Sequence, residues 1–128
     1  MPNISGPGGL VDKKYSCRFG DDFPKLKVHL SYERTSLEIE YDSGAFHHLE
    51  FFGFEDCHDF ALMMGLAVEA EDWGEHRGKT ISFRIDAEDD GSFALRLWGL
   101  DDPGMRLLFV DLEGLITFAN HLEALVTS

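Results

Sequence analysis

Leu26-Lys27-Val28-His29-Leu30-Ser31-Tyr32-Glu33-Arg34-Thr35-Ser36-Leu37-Glu38-Ile39-Glu40-Tyr41 is the stretch that decides the fold. Leu26, Val28, Leu30 and Tyr32 alternate with polar residues, and Leu37, Ile39 and Tyr41 alternate with Glu38 and Glu40. A period of two sends successive side chains to opposite faces, the mark of a half-buried strand. The polar Arg34-Thr35-Ser36 between the runs reads as a hairpin turn. Working outward, a weaker strand is expected near Tyr15 to Phe19, and another from Phe46 to about Phe52.

The period then changes. Phe60, Met63, Met64 and Ala67 recur at helical spacing, which predicts a helix from about Asp56 to Ala70. Asp56 would cap it, with Asp59 three residues on as an imperfect capping box, and Gly65 weakens it. Strand alternation returns in three runs. They are Ile81, Phe83 and Ile85; Phe93, Leu95 and Leu97; and Met105 to Val110. Asp89-Asp90-Gly91 and Asp101-Asp102-Pro103-Gly104 provide the turns between them. Asp111 would then cap a last helix, with Leu112, Leu115, Ile116, Ala119, Leu122 and Val126 on one face. Four of these, Leu115, Ile116, Ala119 and Leu122, are expected to be buried.

The order strands, helix, strands, helix with short links predicts an α+β fold. Its expected form is one mainly antiparallel sheet of about six or seven strands, with one mid-chain helix and one C-terminal helix. Residues 1–11 contain Gly6-Pro7-Gly8-Gly9 and read as a flexible N-terminal arm. Residues 12–128 read as a single domain.

Composition narrows the functional classes. The chain has 128 residues, 24 acids against 11 bases, and a formal net charge of −13. Such a chain lacks the basic footprint that phosphate backbones require, so no direct nucleic-acid ligand is expected. A cationic protein is the natural complement. Two cysteines, Cys17 and Cys57, are too few for a disulfide framework. With no secretion signal and no apolar run long enough to cross a bilayer, the expected location is the cytoplasm, with no membrane contact.

Motifs that could carry chemistry fail on spacing. Gly78-Lys79-Thr80 resembles the end of a phosphate-binding loop, but Trp73 occupies the place of the required glycine and a strand follows. Asp86-Ala87-Glu88-Asp89-Asp90-Gly91 resembles the start of a calcium loop, but its twelfth position is Leu97 where a bidentate acid is needed. His47-His48 and Cys57-His58-Asp59 supply metal-ligand types, yet neighbours on a strand point apart and no paired C-x-x-C is present. No nucleophile-and-base constellation stands out among the cysteines and serines. No catalytic residue, metal or cofactor is expected.

The acids supply the candidate site. Glu69, Glu71, Asp72 and Glu75 precede the strand Ile81–Ile85, and in a simple meander Asp101 and Asp102 would turn at the same end. Trp73 sits among these acids. Its ring could anchor an interface against an arginine or close the helix end as part of the core. A second group, Glu88, Asp89, Asp90, Asp111 and Glu113, would lie at the opposite end, explained by turn and helix-start preferences.

The run Ala67-Val68-Glu69-Ala70-Glu71-Asp72-Trp73-Gly74 precedes a strand, and Phe109-Val110-Asp111-Leu112-Glu113-Gly114-Leu115 joins a last strand to a last helix. This layout, covering the C-terminal half, is similar to small bacterial immunity proteins of polymorphic toxin systems. The resemblance implies a cytoplasmic inhibitor that binds a toxin domain and blocks its active site. A phage-encoded inhibitor of a nucleic-acid-binding defence complex would use the same physics. A small enzyme or ligand-binding domain is the alternative from another class, and it requires a concave pocket.

Overall fold

The computed structural model describes residues 14–17, 26–41, 45–100 and 104–127. The elements run β1 (Lys14–Cys17), β2 (Lys27–Leu30), β3 (Ser36–Tyr41), β4 (Ala45–Glu50), α1 (Phe54–Glu69), β5 (Gly74–His76), β6 (Ser82–Ala87), β7 (Phe93–Trp98), β8 (Met105–Phe109) and α2 (Leu112–Thr127). The α+β class and the two helices agree with the sequence reading. The expected single sheet does not. The strands form two sheets, β2-β3-β4 and β1-β8-β7-β6-β5. Within them β2 to β4 and β5 to β8 pair antiparallel, and β1 joins the edge at β8 in parallel. Alternation fixes which face of a strand is buried but not which strand it pairs with. Here α1 intervenes after β4, and β5 to β8 beyond it build the larger sheet, whose edge is completed by β1.

Both sheets and both helices feed one core cluster. From the first sheet Val28, Leu37, Ile39 and Leu49 turn inward, while His29, Glu38, His48 and Glu50 face solvent. The expected turn lies slightly earlier than the sequence suggested. Ser31 Oγ accepts from the backbone N–H groups of Thr35 and Ser36, at 3.0 and 3.1 Å, and Arg34 adopts a φ of 61°. Tyr32, read as the end of a strand, sits in this turn fully exposed. The second sheet buries Phe83, Ile85, Leu95, Leu97, Leu107 and Phe109 completely. Its β7–β8 link depends on Gly104, whose φ is +90° and where a Cβ would stand 2.1 Å from the Leu97 carbonyl oxygen.

The helix α1 begins at Phe54, with Gly53 at the cap position, so Asp56 is not the cap. It is the third helical residue, and its Oδ2 reaches back to accept from the Phe52 N–H at 2.9 Å. A capping box would use the Gly53 N–H, so the bond runs one residue further back than that motif. Asp111 does cap α2, accepting from the Gly114 N–H at 3.0 Å. On α2, Leu115, Phe118, Ala119, Leu122 and Val126 are buried, but Ile116 is 38% exposed. The inward arc centres on Phe118, which the sequence reading passed over. Ile116 is pushed to the arc's edge, beside α1. Rings knit the layers together: Phe51 on Phe60 at 5.3 Å, Phe60 on Phe83 at 5.8 Å, and Phe109 on Phe118 at 5.3 Å. The proposed arm, residues 1–11, lies outside the described residues.

Candidate functional site

Glu69 is the last residue of α1, and it is exposed. The helix then closes through two backbone bonds, Glu71 N–H to Val68 O at 3.1 Å and Asp72 N–H to Ala67 O at 2.8 Å. This is a Schellman arrangement, which calls for a left-handed residue where glycine is usual. Glu71 occupies that place with a φ of 53°. Trp73 follows, half-buried, with its ring 5.1 Å from Phe93 and packed on the core. The indole therefore closes the helix end against the sheet. Glu75 accepts from Arg77 Nε at 2.7 Å and stands opposite Arg84 across the strands, so its charge is matched locally.

The structure corrects which acids come together. No periodic signal marks β5, a three-residue strand lacking apolar alternation. It pairs antiparallel with β6, Gly74 opposite Ile85 and His76 opposite Phe83. That reversal carries Glu71 and Asp72 toward the Ala87 end of β6, where β6 turns into β7. Glu69, Glu71 and Asp72 thus share an end with Glu88, Asp89 and Asp90 and with the start of α2 at Asp111 and Glu113. These are the acids the sequence reading had placed at the far end. Asp101 and Asp102 lie outside the described residues. The strands that flank them, ending at Trp98 and restarting at Met105, meet at the other end of the sheet, beside Ser82. Within the acidic end, Ser92 donates to Asp90 through its N–H and its hydroxyl, at 3.0 and 2.6 Å. Those bonds hold the Asp90 carboxyl below its ordinary pKa.

Sequence reasoning missed a second feature. An open groove of about 630 Å³ runs between the helices. Leu62, Leu66, Ile116 and Ala119 form its apolar wall, and Glu69, Glu71 and Glu123 rim it. Leu66 is 66% exposed. The signal was present in composition: neither helix contains a lysine or arginine, while α1 carries Glu55, Asp56, Asp59 and Glu69. Three arginines gather on the larger sheet. Arg84, Arg96 and Arg106 stand in register across β6, β7 and β8, on the face turned away from the core. Like charges placed directly opposite repel. Two observed contacts offset this: both Asp86 oxygens accept from Arg84 Nε at 3.1 Å, and the Arg96 guanidinium lies 5.4 Å from the centre of the Trp98 ring.

A cavity of about 550 Å³ opens at the start of α1, lined by Phe52, Phe54, Phe60, Met63 and Lys79 among others. Two of the polar side chains on its wall, Asp56 and Lys79, are already engaged. Asp56 accepts from Phe52 N–H and from the Thr80 hydroxyl, and Lys79 Nζ lies 4.6 Å over the Phe52 ring. Cys57 is buried, and burial, with a further push from the Asp56 charge, raises its thiol to about 11. It therefore stays a neutral core side chain at physiological pH, unsuited to nucleophilic work. Among the described residues no group of three or more His, Cys, Asp or Glu is placed to hold a metal ion. None of their helices is long and apolar enough to cross a membrane.

No protein-family model, curated protein or solved structure matches this chain.

Proposed function

We propose that this chain is an acidic protein inhibitor, an immunity protein that binds a cationic toxin domain and blocks its active site in the cytoplasm. One observation carries the reading. The helical side of the molecule exposes carboxylates and apolar side chains with no lysine or arginine on either helix. Its end collects Glu69, Glu71, Asp72 and the Glu88–Asp90 turn. Such a surface attracts a basic cleft from a distance, chiefly by raising the rate of encounter. The resemblance to immunity proteins, carried by the strand-to-helix layout of the C-terminal half, points the same way.

The test is affinity capture by the tagged chain in cells of its source, followed by reconstitution of the pair. The expected result is a basic protein retained at equal stoichiometry, whose activity falls as the chain is added. A retained basic protein that keeps full activity, or no basic protein at all, contradicts the inhibitor reading. Capture of a multi-subunit nucleic-acid-binding complex in its place favours the phage-inhibitor variant of the same physics.

A further inference from the structure

We propose that the groove between α1 and α2 is the docking site for a cationic amphipathic helix supplied by the binding partner. This names the partner element and so rests on the inhibitor reading, but it is testable apart from it. The groove offers an apolar wall, Leu62, Leu66, Ile116 and Ala119, below a rim of Glu69, Glu71 and Glu123. Two of the wall residues, Leu66 and Ile116, are exposed large hydrophobics. Neither helix supplies a lysine or arginine to neutralise the rim.

Three arguments select the occupant. Both walls are α-helices, whose backbone groups bond within themselves between the termini, so the groove has no strand edge to offer. A docking segment must therefore satisfy its own N–H and C=O groups, which an inserted helix does and an extended peptide does not. The acids on the rim demand positive charge flanking the apolar stripe of that helix. A second copy of this chain, facing the groove through its own groove, would set Glu69, Glu71 and Glu123 against their counterparts. An anionic membrane surface would meet the same repulsion. Each helix has 16 residues and so spans about 24 Å, enough to seat a partner helix of four turns or so.

The probe is a synthetic helix of about 18 residues, the length of five turns, with leucines on one face and lysines on the other. A scrambled peptide of the same composition is the control. Both are titrated at physiological ionic strength, with affinity read by fluorescence anisotropy and the site by backbone amide shifts. The amphipathic peptide is expected to bind at least ~10-fold tighter than the scramble, a difference of about 1.4 kcal/mol. The largest shifts should fall on α1 and α2 around the groove. Leu66→Lys and Ile116→Lys should each remove most of that advantage, and being on exposed side chains they should not unfold the domain. Tyr32→Lys makes the same charge change in an exposed turn of the other sheet and should leave binding unchanged. Equal binding of the scramble, shifts centred on the sheet or the Phe52 cavity, or an unaffected Leu66→Lys would overturn the proposal. So would sedimentation showing a dimer that Leu66→Lys dissociates, because the groove would then belong to a second copy. If a captured inhibitor target binds Leu66→Lys as well as wild type, the groove fails and the inhibitor reading survives. If the peptide binds here but no basic partner exists in the cell, the inhibitor reading fails and the groove survives.

Discussion

Asp56 shows how much can depend on one buried carboxylate. It ties the start of α1 to Phe52 and, through the Thr80 hydroxyl, to the approach of β6. Removing it would leave the part-buried Phe52 N–H and Thr80 hydroxyl without their acceptor. Asp56→Ala should therefore cost about 1–3 kcal/mol in urea unfolding; a loss under about 0.5 kcal/mol, the range of surface changes, would show the tie to be unimportant. Glu71 makes the opposite case. A left-handed φ on a non-glycine residue is strained. Glu71→Gly should raise stability by up to about 1 kcal/mol, while weakening attachment of a cationic partner by removing a rim charge. A variant that loses stability would mean that the side chain holds the turn in place. His121 supplies a pH prediction. Burial holds its pKa below the ordinary 6.5. Above 6.5 the folded and unfolded chains are both neutral there, and the residue adds no pH dependence. As pH falls through 6.5 toward the folded value, the unfolded chain takes up a proton that the folded chain resists, so stability falls. Between pH 7 and 5 the wild-type urea midpoint should therefore drop further than that of His121→Gln. Relief of acidic self-repulsion acts on both proteins and cancels in the comparison.

The elements show where the sequence was legible and where it was not. Long periodic runs declared themselves: β2, β3, β6, β7, β8 and both helices follow from spacing alone. Burial of Leu115, Ala119 and Leu122 follows as well. Replacing Leu115 by Ala should cost about 2–5 kcal/mol, whereas Ile116→Ala should cost under about 1 kcal/mol, closer to a surface change. Comparable losses at the two positions would mean that the helix turns Ile116 as well as Leu115 into the core. Three-residue β5 could not be read, because Gly74-Glu75-His76 carries no apolar alternation. Yet that strand decides the candidate site, since it reverses the chain and moves Glu71 and Asp72 to the end of the sheet that holds Asp90. Partition into two sheets was equally hidden, being a matter of pairing and not of pattern. Trp73 was open between core and interface from sequence. Its packing against Phe93 is a tertiary contact with no local signal.

At the scale of the molecule, charge is sorted by side. Helices carry acids and apolar side chains, while the far face of the larger sheet carries Arg84, Arg96 and Arg106 in register. A net charge of −13 works against the compact state, so a surface this acidic invites a functional explanation. Steering by such a field acts on association and is screened by salt, with a Debye length of about 8 Å at physiological ionic strength. The most direct test is the association rate of the captured partner at low and physiological salt. It should be measured for wild type, for Glu71→Lys with Asp72→Lys, and for Asp101→Lys with Asp102→Lys. The first pair should slow association and flatten its salt dependence, while the second pair should leave both as in wild type. Salt-independent association in wild type, or loss confined to the Asp101 and Asp102 pair, would contradict this steering.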